Sequence, residues 1–413
     1  MRVRIGLLCV IFVFVSSGCR HLATTTPYAT EDFQSEFHII DRHPPANQWH
    51  QGKLSWLPGF SLDTENPMMM DLRSADVSGL NLTGEWSVLQ YAAFDSNTIW
   101  PTEDRMPPEF DKDLIMELGK NPGLGVRSLH ARGITGQGVG IAILDQTLLI
   151  EHVEYADRIQ LYEEINYEPE FPAAMHGPAV TSLAVGKNTG TAPGASVYYI
   201  AVNVTDPSSM PSDMKRNFQY LAQGVRRIIE INRLLPASQK IRVISTSIGW
   251  NPEEIGYEDI TAAVEEANEE GILVISGRMY LTYDYRLYWL GRYPYDDPDS
   301  FDSYGLCVLC AEVTPDDPAL ENSLLIPMDS RTVAGFTGVE DYAYFSVGGG
   351  SWTMPYLAGV YALAVQVDPS ITPDDFLELA VETGRVLEIT RGDESFILGT
   401  IIDPVALIEV LIK

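Results

Sequence analysis

An aspartate, a histidine and a serine in this chain have the types and the local surroundings that acyl-transfer chemistry needs. Asp145 directly follows the apolar run 138–144, His176 opens the segment HGPAVTSLAVG, and Ser351 follows three glycines. A serine becomes a nucleophile when a histidine takes its proton and an acid orients that histidine. Considered alone, each has a simpler explanation: a helix cap or structural acceptor for Asp145, a structural histidine for His176, and a helix N-cap for Ser351. Their order and surroundings therefore have to decide.

The elements around these residues alternate between short apolar runs and amphipathic stretches. This pattern is typical of a parallel sheet that is covered by helices. Strands are predicted over 138–144, 196–204, 241–245 and 271–276, and helices over 176–186, 217–235, 259–269, from Ser351 to Val367, and from a Thr372-Pro373 start. The sequence thus predicts an α/β fold with a mainly parallel sheet, helices on both faces, and a small irregular N-terminal region. Reactive groups gather at the carboxyl ends of such strands, where Asp145 is expected.

Five sequence blocks extend the argument from single residues to a family. The blocks GQGVGIAILD, HGPAVTSLAVG, GTAPGASVYYIAV, VISTSIGW and GGSWTMPYLAGVYAL occur in this order along the chain. They resemble the subtilases, the subtilisin-like serine peptidases, in which the aspartate, histidine and serine follow one another in the same order. The serine block is the most specific, because Ser351, Pro355 and Ala358-Gly359 keep the spacing of the family motif GTSMAxPxxAG. The resemblance spans residues 126 to 385 and implies a subtilisin-like fold.

The resemblance also implies what each residue does. Ser351 would attack the peptide carbonyl, His176 would transfer the proton, and Asp145 would orient the imidazole. The segment that would pair with an extended peptide is Ser245, Thr246, Ser247, Ile248 and Gly249.

Three departures from the family pattern bear on activity. Gln146-Thr147 follow Asp145, Pro178-Ala179 follow the His-Gly pair, and Arg278 stands where the family has its oxyanion asparagine. Loss of such a donor costs about a hundred- to a thousandfold in turnover. The predicted function is a serine endopeptidase. The alternatives are a catalytically weak scaffold that binds peptides and, third, a non-proteolytic acyl hydrolase.

The N-terminus resembles the export signal of a bacterial lipoprotein. Arg2 and Arg4 precede an apolar run, 5–15, which is too short to span a bilayer but suits a signal-peptide core. The following Ser-Ser-Gly-Cys resembles a lipobox, with Ser16 where the motif usually has leucine, so Cys19 is the predicted lipidation site. The alternative is an ordinary secretory signal. The protein is therefore expected outside the cytoplasm, anchored to a membrane or secreted.

The predicted organisation has five segments. They are a signal peptide over 1–18, a tether over 19–65, an N-terminal region of unassigned role over 66–125, the subtilase domain over 126–385, and a C-terminal extension over 386–413 that packs on the domain.

Charge and cysteine content limit the partners. The chain has 57 acidic and 27 basic residues, a formal net charge of −30, which argues against nucleic acid as a partner. The expected partners are a peptide or protein substrate and, through the lipid, a membrane. No cofactor is identified; structural calcium is implied only by the resemblance, and no ligand cluster stands out. Cys307 and Cys310 form either a local disulfide or two thiols.

Overall fold

The computed structural model describes residues 38–61, 69–210, 214–308, 310, 314, 320, 322–391 and 394–413. The fold reported below belongs to one compact unit, Phe37–Lys413. The predicted signal peptide and Cys19 lie outside the described residues.

The strands of the described residues follow in chain order. They are β1 (Ile39–Ile40), β2 (Gly52–Lys53), β3 (Met70–Asp71), β4 (Ala75–Asp76), β5 (Ala92–Asp95), β6 (Gly140–Asp145), β7 (Ile159–Ile165), β8 (Ser196–Val202), β9 (Ile241–Ser245), β10 (Leu273–Ile275), β11 (Arg286–Gly291), β12 (Gly305–Leu306), β13 (Ser323–Pro327), β14 (Arg331–Ala334), β15 (Tyr342–Phe345), β16 (Arg385–Arg391) and β17 (Glu394–Ile401).

The α-helices of the same residues also follow in chain order. They are α1 (Trp86–Leu89), α2 (Lys112–Lys120), α3 (Val126–His130), α4 (His176–Val185), α5 (Gln219–Leu234), α6 (Tyr257–Glu269), α7 (Tyr280–Tyr283), α8 (Thr353–Val367), α9 (Pro373–Glu382) and α10 (Pro404–Leu411). Among the described residues, no helix combines the length and the apolar character that crossing a bilayer requires.

The central sheet has six strands in the order β1-β7-β8-β6-β9-β10, and every neighbouring pair is parallel. Alternate residues of β6 face opposite sides: Ile141 and Ile143 pack with α4 and α8, whereas Ala142 and Leu144 pack with α5 and α6. A parallel strand that is buried on both faces is continuously apolar, as the sequence of β6 is. The prediction of an α/β fold with helices on both faces is therefore confirmed.

Smaller sheets join distant parts of the chain to this core. A five-stranded sheet has the order β12-β11-β13-β17-β16, a four-stranded one β14-β15-β5-β3, and a pair β2-β4. Strand β5 pairs with β15, β17 pairs with β13, and β1 pairs with β7 of the central sheet. Hydrogen bonds thus connect segments on both sides of each predicted boundary at 65, 125 and 385, and the boundaries themselves stay predictions.

Candidate active site

The three predicted catalytic residues lie where strands and helices meet at the carboxyl edge of the central sheet. Asp145 is the last residue of β6, and His176 is the first residue of α4. Ser351 lies in a short 3-10 turn, Gly350–Trp352, that leads directly into α8. Helices α4 and α8 belong to one apolar cluster with β6, so the packing of the core fixes where these elements begin.

Asp145 and His176 form a direct hydrogen bond. His176 Nδ1 lies 2.6 Å from Asp145 Oδ1, and their side chains are only 21% and 6% exposed. Burial by itself lowers the pKa of His176, but the negative charge and the hydrogen bond of Asp145 outweigh it, so the pKa is raised above its ordinary 6.5. With the Nδ1 proton held by the carboxylate, Nε2 is the nitrogen that can accept a proton from a nucleophile.

Gly177 allows α4 to start this close to the aspartate. A Cβ on Gly177 would lie 2.6 Å from the carbonyl oxygen of Gln146, 2.6 Å from the hydroxyl of Tyr199 and 2.8 Å from the carbonyl oxygen of Thr147. These atoms belong to the turn after Asp145 and to the neighbouring strand β8, and two of them are backbone. Only glycine therefore lets the histidine reach the carboxylate without displacing the turn.

Ser351 does not complete the hydrogen-bonded chain in this structure. Its Oγ donates to the carbonyl oxygen of Ser247 over a long 3.5 Å, and Ser247 Oγ donates to the carbonyl oxygen of Ser351 at 2.9 Å. Within the described residues, no hydrogen bond joins Ser351 Oγ to His176. Catalytic hydrogen bonds are often long without substrate and tighten when substrate binds. The structure thus brings Asp145 and His176 together and leaves the hydroxyl of Ser351 in contact with Ser247, in the segment that follows β9.

Trp352 connects the serine turn to the histidine. Its buried indole stacks on the imidazole of His176, with ring centroids 5.6 Å apart and an interplanar angle of 30°. The ring of Phe345 contacts the same indole edge-on at 5.5 Å. Nothing in the sequence pattern gives Trp352 a role, although a large aromatic residue directly after the predicted nucleophile was the available signal.

The predicted substrate-binding segment borders a cleft that also contains the Asp145–His176 pair. The cleft has a volume of about 280 Å³, and Thr246, Ser247 and Ile248 line it. Backbone hydrogen bonds join Thr246 and Ile248 to the segment 275–277. The Thr246 amide donates to the carbonyl oxygen of Ile275, and the Gly277 amide donates to the carbonyl oxygen of Ile248. Ser245 is the buried end of β9, and Gly249 follows as a half-buried residue next to Gly277.

Arg278, the predicted oxyanion donor, is engaged by other groups. Its Nε donates to the carbonyl oxygen of Trp250 at 2.8 Å, Nη1 donates to the hydroxyl of Tyr280 at 2.5 Å, and Nη2 donates to Asn251 Oδ1. A donor stabilises an oxyanion only if it lies about 3 Å from the place where that charge develops. The oxyanion role of Arg278 therefore stays a prediction, and it requires at least part of this set to rearrange.

Asp329 binds the chain segment just before the serine turn. This buried carboxylate accepts hydrogen bonds from the amides of Gly348, at 2.8 Å, and Val308, at 3.0 Å. Burial raises the pKa of Asp329 to about 6, although both amides and Arg292 act in the opposite direction. The sequence gives no signal for this residue, because its partners are distant in the chain.

Val308 lies in the turn closed by Cys307 and Cys310, which form a disulfide with their Cα atoms 5.0 Å apart. Of the two alternatives for this cysteine pair, the structure has the disulfide. In the described part of the chain, no group of three or more histidine, cysteine, aspartate or glutamate residues is arranged to hold a metal ion.

Comparisons with known proteins relate one part of the chain to a family. Residues 136–277 match the model of the subtilase family, a range that contains Asp145, His176 and the segment Ser245 to Gly249. Ser351 lies outside the matched range. Among solved structures, the prenylagaramide maturation protease PagA is similar with a TM-score of 0.49 and 15% sequence identity, over 70% of this chain and 98% of that one.

Proposed function

Because residues 136–277 match the model of the subtilase family, we propose that this chain is a serine endopeptidase that uses Asp145, His176 and Ser351. The observation that carries the proposal is the 2.6 Å hydrogen bond between Asp145 and His176, in a cleft that is also lined by the predicted peptide-binding residues Thr246, Ser247 and Ile248. A buried carboxylate on Nδ1 is the arrangement that makes Nε2 of a histidine a general base.

The reaction would proceed in two steps. Ser351 Oγ adds to the scissile carbonyl as His176 Nε2 takes its proton, and the same proton then passes to the leaving amine, which gives an acyl-enzyme. Water deprotonated by His176 hydrolyses the ester and restores Ser351. Asp145 stabilises the imidazolium that forms in each step. Before the first step, Ser351 Oγ has to exchange its contact with Ser247 for one with His176.

Labelling with a fluorophosphonate probe tests this proposal. The folded mature protein should form one covalent adduct, which peptide mapping should place on Ser351. Ser351→Ala should abolish both labelling and peptide cleavage with little change in melting temperature. Ser208→Ala, which removes an exposed serine hydroxyl far along the chain, is the matched control and should label normally. An adduct that persists in Ser351→Ala, or no adduct on the folded wild-type protein, would contradict the peptidase assignment.

A catalytically weak scaffold that binds peptides is the second candidate. Two observations favour it: the hydroxyl of Ser351 contacts Ser247 instead of His176, and the guanidinium of Arg278 is already engaged. A scaffold would bind peptides with measurable affinity and show neither adduct formation nor cleavage. Isothermal titration with a peptide that the wild type does not cleave, combined with the labelling result, separates the two functions.

We also propose that the protein is exported and attached to a membrane through lipid on Cys19. The support is the basic and apolar N-terminal sequence followed by Ser-Ser-Gly-Cys. Metabolic labelling with an alkyne fatty acid should tag the wild type and leave Cys19→Ala untagged. If the tag persists in Cys19→Ala, the lipid is elsewhere; if neither protein carries it, the secreted alternative holds.

A further inference from the structure

A second pocket adjoins the serine turn and has no lining residue in common with the cleft that contains His176. Its volume is about 180 Å³. Met354 lines it, one helical turn after Ser351. Gly277 also lines it, and the amide of Gly277 donates a hydrogen bond to the carbonyl oxygen of Ile248 in the predicted substrate-binding segment. Trp289 closes it toward the serine, since a Cβ on Gly350 would lie 2.8 Å from the indole Nε1. The pocket therefore lies where the substrate segment meets the predicted nucleophile.

The pocket contains an arginine whose side chain has neither a hydrogen-bond acceptor nor a carboxylate partner among the described residues. The guanidinium of Arg286 lies over the ring of Tyr280, with its carbon 4.1 Å from the ring centroid. Among the described residues, it makes no hydrogen bond and has no carboxylate within 4 Å. Every other arginine whose side chain is described forms at least one hydrogen bond or ion pair. In a chain with 57 acidic and 27 basic residues, an arginine that none of the described acids neutralises is unexpected.

A second uncompensated charge lies next to it. Arg278 donates to the hydroxyl of Tyr280, and its other partners, the Trp250 carbonyl and the Asn251 side chain, are also neutral. None of the described residues that line the pocket is an aspartate or a glutamate. Two guanidinium groups therefore flank Tyr280, one against its ring and one on its hydroxyl, and the described residues supply no negative charge to either.

The shape and the chemistry together select the class of occupant. Pockets that hold whole small molecules usually have volumes of about 300–1,000 Å³, so this one has room for a single side chain. The Arg286 guanidinium lies over the ring of Tyr280, and its N–H groups donate to none of the described residues. Their edge matches the two oxygens of a carboxylate, with which arginine forms paired hydrogen bonds. Tyr280, Trp289 and Met354 would enclose the methylene groups of such a side chain.

We propose that this pocket selects substrates with an acidic residue, glutamate or aspartate, immediately before the scissile bond. This inference rests on the proposed function, because the pocket acquires its meaning from peptide cleavage at Ser351. An extended peptide that pairs with Ser247 to Gly249 would pass the serine turn, because Ser247 Oγ donates to the carbonyl oxygen of Ser351. Its last residue before the cut would then lie next to the pocket. The side chain of that residue is the group that Arg286 would bind.

The test uses amidated, internally quenched peptides that are identical except for Glu, Gln or Leu before the scissile bond. The wild type should cleave the Glu peptide with a kcat/KM roughly 10- to 100-fold above the Gln peptide, the range of one charge-assisted contact. Arg286→Gln should bring the ratio of the two kcat/KM values, Glu peptide over Gln peptide, close to 1. Arg233→Gln, which breaks only an exposed ion pair with Glu270, is the matched control and should keep the preference.

The outcomes separate this inference from the proposed function. If the unselective fluorophosphonate labels Ser351 but Glu and Gln peptides are cleaved equally well, the pocket assignment is wrong and the peptidase stands. If the wild type prefers the Glu peptide and Arg286→Gln keeps that preference, another residue binds the substrate carboxylate and the inference also fails. Should Arg286→Gln fold poorly, Arg286→Lys and the wild-type Glu/Gln ratio still decide.

Discussion

Replacement of Asp329 by asparagine removes a buried charge under the serine turn and should change how stability depends on pH. Asp329 is only 1% exposed, and its carboxylate accepts hydrogen bonds from the amides of Gly348 and Val308. Burial disfavours its charged form and raises its pKa from the ordinary 3.8 to about 6, against the effect of the two amides and of Arg292. Asparagine has nearly the same shape, does not titrate, and keeps one oxygen as an acceptor.

The sign and size of the effect follow from proton linkage. The folded state holds the Asp329 proton more tightly than the unfolded chain, so the stabilising contribution is complete below pH 3.8 and is lost as the pH rises through about 6. The difference between the two pKa values corresponds to about 3 kcal/mol. In wild type minus Asp329→Asn, the free energy of unfolding should therefore fall by about 3 kcal/mol between about pH 4 and about pH 8.

Urea unfolding of both proteins across this pH range measures the difference, and Glu154→Gln provides a control of opposite sign. Burial raises the pKa of Glu154, but hydrogen bonds from Tyr342, Asn188 and Thr189 together lower it below the ordinary 4.5. Its contribution to stability is therefore present above pH 4.5 and lost as the pH falls. A wild-type minus Asp329→Asn difference that does not vary with pH would refute the reasoning, because it would mean that Asp329 titrates alike in both states.

Two further predictions concern the Asp145–His176 pair and its support. The rate of fluorophosphonate labelling should fall as the pH drops through a midpoint above 6.5, because the raised pKa of His176 protonates the base there; Asp145→Asn should move that midpoint down and slow labelling by up to about 10⁴-fold. An unchanged midpoint would show that Asp145 does not set the pKa. Gly177→Ala should cost about 1–3 kcal/mol in unfolding free energy and slow labelling, since its Cβ meets backbone oxygens at 2.6 and 2.8 Å. Gly84→Ala, where a Cβ meets nothing within 4 Å, should do neither, and equal melting temperatures for the two variants would contradict the packing argument.

The regular elements of the core were predictable because their signals are local. Apolar runs and helical spacing placed β6, β9 and α5 within about two residues of where the structure has them. Helix α9 begins with the capping box of Thr372 and Asp375, at the start that the Thr372-Pro373 sequence indicated.

The parts that were not predictable depend on contacts between residues far apart in the chain. Asp329 supports Gly348, Trp289 packs on Gly350, and Trp352 stacks on His176. No periodicity records which loops meet, so a pattern cannot tell a buried carboxylate from an exposed one. The pairing of β5 with β15 also depends on distant residues. At its end, the amide of Tyr342 donates to the hydroxyl of Ser96, which lies 246 positions earlier in the chain.

The uncompensated guanidinium of Arg286 also bears on how fast substrate arrives. At long range, a chain of net charge −30 repels the acidic peptides that its pocket would select, so the encounter is slow at low ionic strength. Salt screens charges more than about 10 Å apart, whereas a contact pair in a narrow pocket is screened much less. Added salt should therefore raise the association rate of a glutamate peptide while largely preserving its advantage over the glutamine peptide. Such a protein would work best in a medium where dissolved ions remove the barrier to approach and leave the selection intact.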